Sequence, residues 1–328
     1  MESAHQEAKK PRRWLLLRRL IALGAILCLA AVSYLHYFLL RPEGDGPAGP
    51  SVRAEPFAEP WTDRKVLLLG IGDSITAGFG VARQHAYFRR LAENPEDEFP
   101  EMRGLTLSAV LPNLRTKNIA ESGSTSLRHV RILEAMERQP ADVFGLVVMT
   151  TGGNDLIHNY GRTPPQEGAM YGATLEQASP WIANFRARLD HMIDLIEERF
   201  PGGCLIFLAD IYDPSDGVGD AASARLPDWS DGVKILAEYN AILSECGAHR
   251  PSVRVVPLHD TFLGHGTHCA QFWRTHYCAD DPTYWYGVNL EDPNVRGYDA
   301  VRRVFLQTIA ESADAIGGKP ADSGKPAK

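Results

Sequence analysis

KVLLLGIGDSITAG, residues 65–78, decides the fold. After Lys65 the chain runs apolar to Ile71, then turns through Gly72 with Asp73 and Ser74 at the tip. A run apolar at every position suits a parallel strand covered on both faces. Similar runs recur at residues 144–150 (FGLVVMT), 204–209 (CLIFLA) and 253–258 (VRVVPL), with a weaker one at 114–120. Helical patterns separate them at residues 124–138, 180–200 and 231–246, and a last one closes the body at 297–315. This alternation predicts an α/β fold: a doubly wound, mostly parallel five-stranded sheet with helices on both faces. In such sheets chemistry gathers in the loops that leave the carboxyl ends of the strands.

Three motifs occupy those loops. Ser74 stands on the strand-to-helix turn after the first strand, where free N–H groups of a starting helix favour a developing anion. A dinucleotide fingerprint is excluded because Ile75 holds the place of its third glycine, and no Gly-Lys-Ser/Thr follows for a phosphate loop. A serine that merely caps a helix remains an alternative for this motif alone. NIAESGSTS, residues 118–126, follows the second strand, and TTGGND, residues 150–155, follows the third.

With these three motifs in order, residues 65–312 resemble the SGNH (GDSL) hydrolase superfamily. The resemblance makes Ser74 the nucleophile and matches Gly123 and Asn154 to the family's glycine and asparagine. It implies an oxyanion hole built from the backbone N–H groups of Ser74 and Gly123 and the Asn154 amide. Three neutral donors around one point stabilise a tetrahedral oxyanion without any proton transfer.

The family's last block reads D-x-x-H-P-N, with glycine and an aromatic or His soon after. Here the stretch is NLEDPNVRGY, residues 289–298, so Asn289 stands at the acid position and Asp292 at that of the base. An ordinary aspartate, with a pKa near 3.9, takes a serine proton poorly at neutral pH. Three accounts follow: a dead enzyme that keeps its pocket, Asp292 acting directly with a pKa raised by burial, or a histidine from elsewhere oriented by Asp292. The loop after the fifth strand favours the third. It carries His259, His265, His268 and His276, with Gly264 and Gly266 around His265. His265 is therefore the expected base, with His268 and then His259 behind it, and Asp292 the expected acid. Each of these histidines also has a plain packing or surface reading. Cys269 and Cys278 admit a disulfide outside the cytoplasm or, with the histidines, a zinc site of no common spacing. Asp210, Asp213, Asp216 and Asp220 lack the calcium-loop order and read as a solvated turn. No metal or cofactor is expected.

Charge and hydropathy divide the chain further. Residues 1–41 carry seven Lys and Arg against two Glu, so the total of −7 leaves −12 on the remainder. Such a body repels polyanions, which excludes nucleic acid as a partner. Residues 1–19 form a basic segment, and residues 20–40 are apolar for 21 positions, enough to cross a hydrocarbon core about 30 Å thick. The positive-inside rule puts residues 1–19 in the cytoplasm and the body in the periplasm or outside the cell. A cleaved signal peptide is the rival, although the run is long for one and lacks a good small-x-small site. Residues 41–64, rich in Pro and Gly, read as a semi-stiff spacer lifting the body from the membrane. Residues 65–315 form the hydrolase-like domain and 316–328 a disordered tail.

The expectation is thus a single-pass, membrane-anchored serine esterase or lipase-type hydrolase acting through an acyl-enzyme on Ser74. Its substrate would be a small ester, a glycan ester or a lipid, and the sequence assigns no oligomeric state. The alternative is an inactive domain of the same fold that binds glycan or lipid at the envelope.

Overall fold

The computed structural model describes residues 12–318; the first eleven residues and most of the expected tail lie outside the described residues. Five strands form one sheet: β1 Lys65–Ile71, β2 Leu114–Asn118, β3 Val143–Met149, β4 Cys204–Ala209 and β5 Val253–Val256. All pairings are parallel, in the order β2-β1-β3-β4-β5. Strand side chains alternate between faces, and β1 shows how both faces are filled. Val66 and Leu68 join one core with Tyr87, Val301 and Phe305, whereas Leu67, Leu69 and Ile71 join the other with Phe185, Ile193 and Tyr239. Each fully buried side chain of this kind contributes about 1.5–3 kcal/mol.

The helices that supply those partners bear out the doubly wound reading. On the first face lie α3 Tyr87–Ala92 and α8 Val295–Ala310; on the second lie α4 Ser126–Glu134, α6 Leu175–Arg199 and α7 Gly232–His249. Two short helices, α2 Ser74–Ala77 and α5 Gly153–Ile157, begin directly after β1 and β3. β2 is weak by sequence because it is an edge strand, LRTKN, with four of its five residues exposed. Its Arg and Lys blunt an edge that would otherwise invite pairing with another chain. α6 begins five residues before the expected Pro180, because Thr174 and Gln177 form a reciprocal capping box.

Among the described residues one helix is long and apolar enough to cross a membrane, spanning Arg13–Leu39 with none of its apolar window buried. By structure it comprises α1, Arg12–Tyr34, and a π-helical turn, Leu35–Leu39. A signal sequence passes the same test of length and composition.

The spacer reading of residues 41–64 is corrected. This segment lies along α8 instead of standing clear of the body. Arg296 donates to the carbonyls of Glu43, Gly46 and Pro47, and Gln307 to that of Ser51. The Ala48 N–H donates to Asp299 at 3.1 Å, and Phe57 is buried. A proline-rich segment lacks a core and many N–H donors, yet its free carbonyls suit arginine and glutamine side chains. Gly49 marks the closest approach: at φ +86, a Cβ there would lie 2.7 Å from the Ala300 Cα. Gly49→Val is therefore expected to release this segment while the sheet stays folded. A left-handed backbone costs a β-branched residue roughly 1–2 kcal/mol before any overlap, so cleavage within residues 42–61 should rise about tenfold under limited proteolysis. Unchanged cleavage would show that the segment is not held here.

Candidate active site

The turn after β1 depends on a close approach to β3. Gly72 has φ +144, and a Cβ on it would lie 2.3 Å from Thr150 Oγ1, so no other residue fits there. The Thr150 hydroxyl donates to Asp73 Oδ1 at 2.9 Å, and the same oxygen accepts the Ile75 N–H at 3.1 Å, capping α2. Thr76 Oγ1 lies 2.9 Å from Thr150 Oγ1 and 2.8 Å from the Tyr87 hydroxyl, which completes a buried clamp. Ser74 is the first residue of α2, and Tyr298 holds the turn from behind by donating to the Phe79 carbonyl at 2.9 Å.

The second and third motifs are tied to this turn. The Glu121 N–H donates to Gly72 O at 2.9 Å, and Ser124 Oγ reaches the same carbonyl at 3.1 Å. His129 is buried and bridges Ser124 Oγ at 2.7 Å to Thr151 Oγ1 at 2.8 Å. Burial pushes its pKa down to about 4, so the ring is neutral at neutral pH. Asn154 Nδ2 donates to Ser124 O at 2.9 Å, which orients the amide and leaves its second N–H. Among the described residues, the backbone N–H groups of Ser74 and Gly123 take no hydrogen-bond partner. Ser74 and Asn154 line one cleft, while Gly123 sits on the exposed turn beside it at φ +77.

The last motif brings a carboxylate near Ser74. Asp292 is buried, and its Oδ2 accepts Asn289 Nδ2 at 2.7 Å. Its Oδ1 is buried with no hydrogen-bond partner at conventional geometry. Burial raises the Asp292 pKa, and the neighbouring Ser74 hydroxyl and Asn289 amide only partly oppose this. Gly287 N–H donates to the Asp292 carbonyl at 2.7 Å, and the Tyr212 hydroxyl donates to the Glu291 carbonyl. Leu290 holds φ +65, a strained conformation for a branched side chain. Asn294 caps α8 by accepting the Gly297 N–H at 2.9 Å, so the Pro-Asn pair is architectural.

The structure places the three expected histidines in contacts of their own. The His265 ring stacks on Trp285 with centroids 3.4 Å apart, and its Nδ1 lies 3.1 Å from the Thr283 carbonyl. Burial pushes its pKa down to about 4. His268 Nε2 meets Asp220 at 2.7 Å, and His259 Nδ1 meets Asp260 at 3.3 Å. Among the described residues, none of the three bonds to Ser74 or Asp292. The loop that carries His265 is wound onto Asp216, which accepts the N–H groups of Gly264, Gly266 and His268. That bonding occupies one of the acidic-loop carboxylates, and Asp213 likewise accepts from Ser215 and Gly217. No metal-holding group of three or more His, Cys, Asp or Glu occurs among the described residues, and Cys269 and Cys278 are free thiols.

The cleft beside Ser74 encloses about 1250 Å³, including space continuous with solvent, and its walls are mainly apolar. Ile157, Tyr160, Tyr171, Ile211, Trp229 and Leu236 build much of it. Tyr171 and Trp229 pack with centroids 4.8 Å apart, and their polar tips donate to the Pro227 and Ala173 carbonyls. Both rings therefore present apolar faces to a ligand. Thr150, which secures Asp73, is a residue that sequence reasoning passed over; its place directly after β3 was the available signal.

Asp73 generates a stability prediction. Burial raises its pKa from 3.8 to about 6, with the Asp292 charge adding to the rise. A raised carboxyl pKa contributes stability below the unfolded value, and that contribution is lost as pH rises through about 6. Asp73→Asn should thus stabilise the fold by about 1–3 kcal/mol at roughly pH 8 and lose that advantage near pH 4. Urea unfolding midpoints at both pH values check this; an equal effect at both would show that Asp73 does not titrate as its burial requires.

The family profile described as GDSL-like lipase/acylhydrolase matches residues 71–300. No curated protein matches the chain. An acetylxylan esterase from Geobacillus stearothermophilus is similar in structure, at 19% identity and a TM-score of 0.46, with 76% of this chain and 95% of that one covered. An extracellular lipase from Streptomyces rimosus is similar at 17% identity and a TM-score of 0.45, with coverages of 74% and 99%. By the match over most of its folded body, the chain belongs to the GDSL-like lipase/acylhydrolase family.

Proposed function

We propose that the protein is a membrane-anchored serine ester hydrolase in which Asp292 itself takes the proton of Ser74. One observation carries this reading: a buried carboxylate beside the Ser74 hydroxyl, with one oxygen held by Asn289 and the other unpartnered. The Ser74 oxygen attacks the ester carbonyl as its proton passes to Asp292. The N–H groups of Ser74 and Gly123 and the Asn154 amide hold the resulting oxyanion. Collapse expels the alcohol, which takes the proton back from Asp292. Water then attacks the acyl-enzyme by the same route, giving up a proton to Asp292 that returns to Ser74 as the acid leaves.

An aspartate base is weak, and two features favour it here. Burial lifts its pKa toward the working range, and the apolar cleft limits competing water. Asn289 suits this role, because a donor at that position orients a carboxylate without adding a second negative charge. The apolar walls support an acyl portion bound along Tyr171 and Trp229. The helix over Arg13–Leu39 and the basic residues around its start support an anchor with the body outside the cytoplasm. The rival reading, a binding domain without catalysis, draws on the absence of a histidine bonded to Ser74 among the described residues. Covalent labelling of Ser74 by a fluorophosphonate separates the two.

With p-nitrophenyl esters, Ser74→Ala should abolish turnover and Asp292→Asn should lower kcat about 10²–10⁴-fold. His265→Ala should leave kcat within about threefold, since its ring serves packing. A reversed order of these effects would restore the histidine mechanism. The pH profile offers a second check. Asp292 must be ionised to accept the proton, so kcat/KM should rise through an acidic limb above the ordinary value of 3.8. In the double variant Asn289→Asp with Asp292→His that limb should move toward about 6.5, the imidazole range. An unmoved limb would mean that another group sets it.

A further inference from the structure

The outer end of the apolar helix does not end free. Its π-helical turn, Leu35–Leu39, lies against the loop that follows His268. Gln271 donates to the Tyr37 carbonyl at 3.0 Å. The Tyr37 ring packs edge-on to Trp273 and Phe272, with centroids 4.9 and 5.8 Å away, and Phe38 lies 6.1 Å from Trp273. Phe272 is nevertheless 61% exposed and Trp273 48%, and Phe38 and Leu40 are exposed beside them. These side chains continue the bare apolar surface of the helix onto the folded body.

The same segment reaches the cleft wall. Arg41 donates to the Ser223 carbonyl at 2.8 Å, and Ser223 Oγ lies 3.2 Å from Thr267 Oγ1. Ser223 and Thr267 both line the cleft that holds Ser74. His268 bonds to Asp220 on that wall, and the Gln271 N–H donates to the His268 carbonyl at 2.8 Å. The Tyr284 N–H donates to the Pro42 carbonyl at 2.7 Å, so no slack chain separates helix from body.

Tyr, Trp and Phe at the end of a membrane-length helix are the side chains favoured at headgroup level, where one part is apolar and another wet. Electrostatic attraction to anionic lipid is not available to a body that carries −12 after residue 41, so apolar insertion must supply the contact. We infer that Tyr37, Phe38, Phe272 and Trp273 form one lipid-facing surface that seats the body on the bilayer, so that the cleft takes its ester from the same leaflet. The surface rests on the anchor reading, and the origin of the ester rests on the hydrolase reading.

The test uses the full chain in zwitterionic phosphatidylcholine vesicles with and without brominated acyl chains. Trp14→Phe removes the one tryptophan inside the apolar helix and leaves five of the six. Bromolipid should then quench about a fifth of the emission, and adding Trp273→Phe should remove that quenching, because bromine acts only on rings at the bilayer. Quenching that is absent, or unchanged by Trp273→Phe, overturns the surface. A second arm compares Phe272→Ser with Trp273→Ser against the parent on two esters. Turnover of a long-chain ester carried in the vesicles should fall about tenfold, with water-soluble p-nitrophenyl acetate unaffected. Equal turnover of the vesicle ester by variant and parent overturns delivery from the leaflet. A parent inactive on both esters refutes the hydrolase reading and with it delivery from the leaflet, while the quenching result still decides the surface. An intact mass showing that membrane-extracted protein lacks residues 1–34 overturns the anchor and the inference together.

Discussion

The contact between Gly72 and Thr150 is the constraint on which the site depends. Two parallel strands end side by side, and the turn leaving β1 passes the end of β3 with no space for a side chain. Thr150 then holds Asp73, Asp73 caps α2, and α2 presents Ser74 at the sheet's carboxyl edge. The neighbouring turn after β2 hangs on the carbonyl of Gly72 as well. One close approach therefore positions both the turn that carries Ser74 and the turn that carries Gly123.

The two departures in the last motif are physically coupled. A histidine base needs an acidic partner to hold its tautomer and stabilise the imidazolium. A carboxylate in the same place needs a donor, and a second acid would repel it. Asn289 and Asp292 satisfy that second pairing, with the amide donating to one carboxylate oxygen. The electrostatic consequence spreads to Asp73, whose pKa the Asp292 charge raises further. Two buried acids near one another store a cost in stability that the site bears for its chemistry.

The long segments outside the sheet serve position more than reach. Residues 43–51 lie on α8, and the aromatics of residues 284–286 pack among Phe262, Tyr212 and His265. Among the described loop aromatics Phe79, Phe272 and Trp273 stand largely exposed, the last two where the apolar helix meets the body. The fold thus holds its cleft in a set orientation relative to that helix.

The sequence alone determined the strand runs and the three motifs after successive strands, because each is written in adjacent residues. Apolar continuity reports a buried strand, and a glycine-bearing turn reports where it ends. The packing of His265 and Asp292 was not legible in this way. Where each of them sits rests on contacts between distant segments. Trp285 captures the His265 ring, and Asp216 winds the loop that carries it. The linker was misread for the same reason: its composition shows that it cannot form a core of its own, whereas Arg296, Gln307 and Asp299 on α8 supply the partners its backbone needs. Local pattern reports what a segment can become; only the tertiary structure decides which distant groups satisfy its polar atoms.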